Sequence, residues 1–124
     1  MHNVLVIEDD AVVSEMLEIA LLSIPECSVV CLRSAEDARK RFASGDSVDV
    51  LITDVHLPGE DGLSLVEALR NTPERRGLPV IVTTSSREPA LRQRAESLGV
   101  LAFLEKPWSL AGLRNAVHSV LNGT

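Results

Sequence analysis

The sequence predicts an α/β fold in which helices cover both faces of a five-stranded parallel sheet. Two observations lead to this class. Short apolar runs alternate with segments of helical spacing along the chain. The first, third and fourth of these runs are almost continuously apolar, which is typical of parallel strands that are buried on both faces. Because 124 residues suit one domain, we expect a single doubly wound domain over residues 1–124.

The chain opens with a predicted strand and a predicted helix. Residues 3–7 form the first apolar run, and Asp10 stands where the N-cap of a helix belongs. Apolar residues then recur at helical spacing and are expected to face the core: Val13, Met16, Leu17, Ala20, Leu21 and Ile24. Pro25 ends this helix, and a second strand is predicted over residues 28–32.

The middle of the chain is predicted to contain the second helix, the third strand and the third helix. Ser34 and Asp37 resemble a capping box at the start of the second helix. One apolar stripe follows before Gly45, made by Ala35, Ala38 and Phe42. The third strand covers residues 48–53. The third helix covers residues 62–71, with its inward positions at Leu65, Val66 and Leu69.

The last part of the chain repeats the same alternation. A strand is predicted over residues 79–84 and a helix over residues 88–98, which Gly99 ends. A shorter strand covers residues 101–105. Ser109 caps a final helix, whose apolar positions are Leu110, Leu113, Val117, Val120 and Leu121.

Composition and charge exclude several classes of protein. The formal net charge is −6, and DNA binding requires a basic face, so we expect no direct DNA binding by this chain. No apolar run approaches the roughly 20 residues that span a bilayer, and no signal peptide is apparent. We therefore expect a cytoplasmic protein without membrane contact. Cys27 and Cys31 lie four residues apart on a predicted strand, and we expect them to remain reduced near the core.

Polar side chains follow four of the five predicted strands. In a doubly wound sheet, ligands bind outside the carboxyl ends of the strands, where the strand order reverses. Acids, hydroxyls and one lysine would converge there from segments distant in sequence: Glu8, Asp9, Asp10, Asp54, Thr83, Thr84, Ser85, Ser86, Glu105 and Lys106. Helix capping explains Asp10, but it does not explain Glu8 and Asp9 as well.

These crowded carboxylates indicate a divalent cation. Like charges at this spacing repel one another, and one lysine does not balance three acids. A site with few ligands, all of them oxygen, suits Mg²⁺, which keeps several waters and accepts phosphate oxygens. An Asp carboxylate can also take up a phosphoryl group as an acyl phosphate. The edge is therefore suited to phosphoryl transfer, which needs positioning and neutralisation of charge.

Four stretches of the sequence resemble the receiver domain of two-component response regulators. The strongest is DVHLPGEDG at residues 54–62, similar to the family's D-x-x-[ML]-P-x-x-[DN]-G loop. LVIEDD matches the acidic pair after the first strand, PVIVTTS matches the strand that ends in Thr plus a small residue, and FLEKPW matches the Lys-Pro stretch. The resemblance covers essentially the whole chain. It implies a flavodoxin-like three-layer sandwich with strand order 2-1-3-4-5.

The resemblance implies a role for each matching acid. Asp54 would be the phosphoacceptor and would also contribute to the metal site. Asp9 would be the main Mg²⁺ ligand, and Glu8 would act through a water molecule. The backbone carbonyl of His56 would complete the protein's share of the coordination, and Mn²⁺ is an alternative ion.

The resemblance also implies the parts of a switch. Thr84 would be the hydroxyl that turns toward the phosphoryl group, and Lys106 would pair with a phosphoryl oxygen. Phe103 falls at the aromatic position that turns inward when the threonine moves. The peptide bond between Lys106 and Pro107 would be cis, and Trp108 is expected to pack beneath the last helix.

The function implied by the resemblance is that of a phosphorylation switch rather than an enzyme. The donor would be a sensor histidine kinase or a histidine phosphotransfer protein, with acetyl phosphate as a small alternative. Phosphorylation would alter the face of helix 4, strand 5 and helix 5, the family's usual surface for homodimers or partners. His56 and Ser86 depart from the family's usual residues beside the site. Two interpretations stay open: they tune dephosphorylation, or His56 is simply an exposed histidine at the rim. Arg87, Arg92 and Arg94 lie near the switching face, where a solvated helix surface is the simpler interpretation.

Two other functions remain open from the sequence. An aspartyl-nucleophile phosphatase of the haloacid dehalogenase type uses the same groups, but it requires a second carboxylate two residues after the nucleophile, where His56 stands. Turnover of small phosphomonoesters would identify it. The other alternative is an interaction module that works without phosphorylation, and this module would not need the complete set of acids, Thr and Lys.

Overall fold

The computed structural model describes residues 2–122 and contains one five-stranded parallel sheet with the order β2-β1-β3-β4-β5. The strands are β1 (His2–Ile7), β2 (Cys27–Leu32), β3 (Val50–Asp54), β4 (Val80–Thr84) and β5 (Ala102–Glu105). The four adjacent pairs are all parallel. The predicted fold class and strand order are confirmed.

Five helices cover the two faces of the sheet. They are α1 (Ala11–Leu22), α2 (Ala35–Ala43), α3 (Gly62–Arg70), α4 (Pro89–Ser97) and α5 (Leu110–Leu121). The side chains of β1 alternate between two hydrophobic clusters, because successive residues of a strand point to opposite faces. Leu5 and Ile7 join the cluster that contains residues of α2, α3 and α4. Val4 and Val6 join the cluster that contains residues of α1 and α5.

The local signals for helix starts are confirmed. The Asp10 carboxylate accepts from the backbone N–H of Val12 at 2.9 Å and from that of Val13 at 3.1 Å. Ser34 accepts from the N–H of Asp37 at 3.1 Å, and Ser109 accepts from that of Gly112 at 2.9 Å. Each cap supplies an acceptor to donors that the helix itself leaves without one.

Most element boundaries differ from the prediction by one or two residues, as is usual at helix and strand ends. The difference at β3 matters for function, because this strand begins at Val50 and ends at Asp54 rather than covering residues 48–53. Asp54 is thus the last residue of a central strand, paired in register with Thr83 of β4. A short 3₁₀ helix over Pro73–Arg75 was not predicted.

Two apolar side chains do not face the core as predicted. Met16 on α1 is 49% exposed and Leu110 on α5 is 51% exposed. In α1, the inward positions are taken by Leu17, Ala20 and Leu21. Met16 flanks this stripe, and the exposed side of α1 carries further apolar residues at Val12, Ile19 and Leu22.

The cysteines behave as the sequence indicated. Cys27 and Cys31 are both free thiols, half-buried and packed against the cluster beneath α1 and α5. Burial raises the pKa of both thiols, which keeps them protonated and unreactive. Among the described residues, no helix has the length and hydropathy needed to cross a bilayer.

The turn from β3 into α3 depends on a close backbone contact at Gly62. Its N–H donates to the carbonyl of Val55 at 2.9 Å. A Cβ atom at this position would lie 2.0 Å from the backbone oxygen of Asp54 and 2.8 Å from Oγ1 of Thr53. Glycine therefore allows α3 to begin directly against the end of the strand that carries Asp54.

We expect Gly62→Ala to lower the free energy of unfolding by about 1–3 kcal/mol, because the methyl group forces the backbone at Asp54 to move. Urea titration followed by circular dichroism measures this difference. Gly77→Ala is the matched control, since a Cβ at Gly77 meets no atom within 4 Å. Equal urea midpoints for the two variants would contradict the steric argument.

Candidate functional site

The centre of the candidate site is the side chain of Lys106, which lies between two carboxylates. Its Nζ donates to Oε1 of Glu8 at 2.8 Å and to Oδ2 of Asp54 at 2.9 Å. The three residues come from the ends of β1, β3 and β5. Glu8 is 1% exposed and Asp54 is 7% exposed, so both acids lie below the surface of the sheet edge.

Backbone hydrogen bonds that continue the sheet hold these residues in place. The N–H of Glu8 donates to the carbonyl of Leu32 at 3.0 Å, and the N–H of Lys106 donates to that of Thr84 at 2.7 Å. The peptide bond between Lys106 and Pro107 is cis, as the resemblance implied. The parallel ladder therefore brings together residues that are up to 98 positions apart.

The three acids Glu8, Asp9 and Asp54 form a group that fits a metal ion. One carboxylate oxygen from each lies within 4.8 Å of the others. Asp9 is exposed, whereas the other two acids are buried. An all-oxygen donor set with three negative charges and a single lysine matches Mg²⁺ or Mn²⁺ better than softer metals. Asp10 is directed away from this group, because its carboxylate caps α1.

The pKa shifts of Glu8 and Lys106 agree with a site that has an excess of negative charge. Burial raises the pKa of Glu8, more than the hydrogen bond from Lys106 lowers it, and the nearby charge of Asp54 raises it further. Burial also lowers the pKa of Lys106, but its hydrogen bonds to Glu8 and Asp54 outweigh this, and the pKa is raised overall. Lys106 is therefore a cation at neutral pH. The raised pKa of Glu8 means that burial destabilises its carboxylate, and a nearby cation or protonation would offset this effect.

His56 lies beside this group with its side chain exposed. Its backbone N–H donates to Oδ1 of Asp54 at 3.4 Å. The neighbouring side chains Val55 and Leu57 are buried, which fixes the backbone on both sides of His56. The structure thus places His56 next to Asp54.

The predicted switch residues lie on β4 and β5. Thr84 is fully buried, and its hydroxyl accepts from the N–H of Ser86 at 3.0 Å, which fixes the start of the loop into α4. Phe103 is half-buried, and the guanidinium of Arg92 lies 4.7 Å from its ring centre. Arg92 also contacts Glu105 at 3.3 Å. Arg92 is exposed, as predicted from the sequence, and in addition it connects α4 with the Phe103 ring.

Trp108 follows the Lys106–Pro107 bond and packs, half-buried, against the hydrophobic cluster shared by α1 and α5. It lines a cavity of about 340 Å³ together with Val13, Met16, Lys106 and Pro107. Trp108 was predicted to pack beneath the last helix; it contacts the cluster that α5 shares with α1, and its cavity is lined on the α1 side. The cavity also explains why Met16 is not buried, since it forms part of the cavity wall.

Three contacts that the sequence did not predict hold the loop between β3 and α3. On one side, Arg39 of α2 forms a bidentate ion pair with Glu60, and Glu36 accepts from the N–H of Glu60 at 2.9 Å. On the other side, Arg94 of α4 lies 3.7 Å from Asp61. The partners in each contact lie more than 20 residues apart in the sequence, so no local pattern could have identified them.

Comparison with known proteins gives one consistent result. The model of the response regulator receiver domain family matches residues 4–118. The chain is 34% identical over 120 residues to the cyclic di-GMP phosphodiesterase response regulator RpfG of Xanthomonas campestris, covering 96% of this chain and 32% of that protein. It is 37% identical over 82 residues to the transcriptional regulatory protein DesR of Bacillus subtilis, covering 66% of this chain and 39% of that protein.

Solved structures agree with the sequence comparison. A response regulator receiver protein from Pseudomonas putida superposes with a TM-score of 0.87 at 32% identity, covering 95% of this chain and 96% of that one. The matched region makes up between 17% and 49% of the length of the curated relatives.

We expect Mg²⁺ to stabilise this protein through the acidic group. At a Mg²⁺ concentration about ten times the Kd, binding adds about 1.4 kcal/mol to the free energy of unfolding, which raises the Tm by several degrees. Asp9→Asn should remove most of this shift, because it deletes one of the three carboxylates. Thermal unfolding at constant ionic strength measures it.

The matched control is Asp10→Asn, which changes the adjacent acid and keeps a good N-cap. This variant should retain the full Mg²⁺-dependent shift in Tm. An equal shift in Asp9→Asn and in the wild type would show that Mg²⁺ stabilises the fold by another route.

Proposed function

This chain belongs to the response regulator receiver domain family, and from that premise we propose that it is a phosphorylation switch with Asp54 as its phosphoacceptor. The donor is a sensor histidine kinase or a histidine phosphotransfer protein. A small phosphoryl donor such as acetyl phosphate can replace it. Glu8, Asp9, Asp54 and the backbone carbonyl of His56 hold Mg²⁺, or Mn²⁺ in its place.

The observation that carries this proposal is the position of Lys106. Its ammonium group is within hydrogen-bond distance of both Glu8 and Asp54. When Asp54 becomes an acyl phosphate, an ammonium group placed there can shift its hydrogen bond from the carboxylate to a phosphoryl oxygen. Phosphoryl transfer depends mainly on this kind of positioning and charge neutralisation.

The transfer step requires little else from the protein. A carboxylate oxygen of Asp54 attacks the phosphorus, the bond from phosphorus to the donor histidine nitrogen breaks, and the released imidazole takes up a proton from solvent. A bound Mg²⁺ ion supplies neutralisation of the phosphoryl oxygens. Lys106 pairs with one of these oxygens, and the Thr84 hydroxyl turns to another.

The consequence of phosphorylation is proposed to pass through Thr84 and Phe103 to the face made by α4, β5 and α5. When Thr84 turns to the phosphoryl group, it releases the N–H of Ser86 and with it the start of the loop into α4. Phe103 then moves inward, away from Arg92. The altered face contacts a partner or a second copy of the chain.

We expect Asp54→Asn to abolish stable incorporation of labelled phosphoryl groups from a histidine kinase or from acetyl phosphate, because the amide cannot form the acyl phosphate. Gel autoradiography or phosphorus NMR measures the incorporation. Asp46→Asn is the control, since Asp46 pairs with Arg41 by the amino ends of the strands. Label in Asp54→Asn equal to that in the control would contradict the assignment.

We expect His56→Ala to shorten the half-life of the phosphorylated protein several-fold. The backbone N–H of His56 contacts Asp54 and its side chain is exposed at this edge, so alanine would open the approach of a hydrolytic water. Loss of label after removal of the donor measures the half-life. His118→Ala, on the last turns of α5, should leave the half-life unchanged, and the same result for His56→Ala would assign no role to the imidazole.

A further inference from the structure

We propose that Arg39, Glu60 and Glu36 form a clamp that positions the loop between β3 and α3, and through it the main-chain metal ligand at His56. This inference rests on the function proposed above, because it assigns a positioning role for the same metal site. None of the three side chains touches the reacting groups. They act through the backbone of residues 55–61, which is called the metal loop below.

The base of the metal loop is fixed by the sheet and by α3. The N–H of Val55 donates to the carbonyl of Thr83 at 3.2 Å, and the carbonyl of Val55 accepts from the N–H of Gly62 at 2.9 Å. Val55 and Leu57 are buried. The tip at residues 58–60 lies further out, and within residues 2–122 its polar contacts are those with α2.

The clamp has the geometry of a built contact rather than of a chance surface pair. The guanidinium of Arg39 donates from Nε and from one terminal nitrogen to both carboxylate oxygens of Glu60. Bidentate pairs of this kind fix orientation as well as distance. Glu36 adds a backbone contact, since its carboxylate accepts from the N–H of Glu60 at 2.9 Å.

Hydrogen bonds within the clamp stabilise the charged forms of Glu36 and Arg39. The backbone hydrogen bond from Glu60 lowers the pKa of Glu36. The hydrogen bond to Glu60 raises the pKa of Arg39. Glu36 also lies in the first turn of α2, where the helix dipole favours a negative charge. Glu36 and Arg39 are therefore both charged at neutral pH.

Gly59 provides an independent sign that the loop is built to approach α2. Its φ is +79°, and a Cβ there would lie 2.7 Å from Oε1 of Glu36. A side chain at this position would displace the carboxylate that holds the N–H of Glu60. Glycine thus serves both the turn and the close approach of the loop backbone to Glu36.

The clamp has little to contribute to global stability. Arg39 is 48% exposed in its side chain and Glu60 is 22% exposed, and exposed ion pairs are typically worth about 0–1 kcal/mol. Its proposed effect is to orient the main-chain carbonyl of His56 within the metal loop. Groups that orient metal ligands without touching the metal typically change metal affinity by about 10-fold or more.

Substitutions that exchange the charges of Arg39 and Glu60 distinguish a positioning role from a general effect of local charge on Mg²⁺ binding. Arg39→Glu makes the surroundings more negative, which by charge alone would tighten Mg²⁺ binding, whereas Glu60→Arg would weaken it. A positioning role predicts that both variants weaken binding, by about 10-fold or more. The double variant Arg39→Glu/Glu60→Arg restores the pair and should return to within about twofold of the wild type.

The measurements are the Kd for MgCl₂, from an amide chemical-shift titration, and phosphoryl incorporation from acetyl phosphate across a range of Mg²⁺ concentrations. The single variants should need more Mg²⁺ for half-maximal incorporation but should approach the wild-type rate at saturation. Arg41→Gln is the matched control, because Arg41 lies on the same helix and pairs with Asp46 away from the site. Its Mg²⁺ affinity should not change.

The outcomes distinguish this inference from the proposed function. If the wild type binds Mg²⁺ and the single variants bind it equally well, or with opposite changes in affinity, the clamp has no positioning role. Failure of the double variant to recover also overturns that role. If the wild type binds no Mg²⁺, the proposed function itself is wrong and the positioning role is wrong with it.

Discussion

Lys106 lies between Glu8 and Asp54, and the arrangement of the carboxyl edge depends on this contact. A parallel sheet brings the ends of its strands together whatever their side chains, so three acids from two strands meet at one place. Without a cation, two buried carboxylates would be left side by side in a poorly solvated site, which is costly. The lysine compensates part of this cost. In the described part of the chain, no buried side-chain polar atom is left without a hydrogen-bond partner.

The negative charge that Lys106 does not neutralise determines which ligands the site favours. Glu8 keeps a raised pKa even with Lys106 as a neighbour, because burial acts more strongly than the hydrogen bond. A site that is not neutralised by its own side chains can gain stability from a bound cation. The same groups that cost stability in the free protein would therefore favour a cation-bound form.

The sequence was sufficient where the signal is local or repeats along the chain. The apolar runs predicted five strands, and Asp10, Ser34 and Ser109 predicted three caps, because capping depends on residues that are adjacent in sequence. The acids and Lys106 could be placed at one edge because strand direction alone determines which ends meet. The roles given to Thr84 and Phe103 came from the resemblance and remain part of the proposal.

What the sequence could not provide are contacts between long side chains on different elements. Arg39 and Glu60 carry no pattern that pairs them, since their contact depends on how closely the metal loop approaches α2. Arg92 is exposed, as its place on α4 predicts, but the contact of its guanidinium with Phe103 follows from no spacing in the sequence. Met16 has the spacing of a core residue, but the helix is apolar on nearly every side, and only packing decides which side faces inward.

Trp108 occupies an unusual place in the composition of the chain. It is the single tryptophan, and the sequence contains no tyrosine. Trp108 lines the same cavity as Lys106, whose ammonium group contacts Glu8 and Asp54. Tryptophan absorbs at longer wavelengths than the two phenylalanines of this sequence, so light can excite it alone. Fluorescence from this chain can therefore report on the surroundings of Lys106.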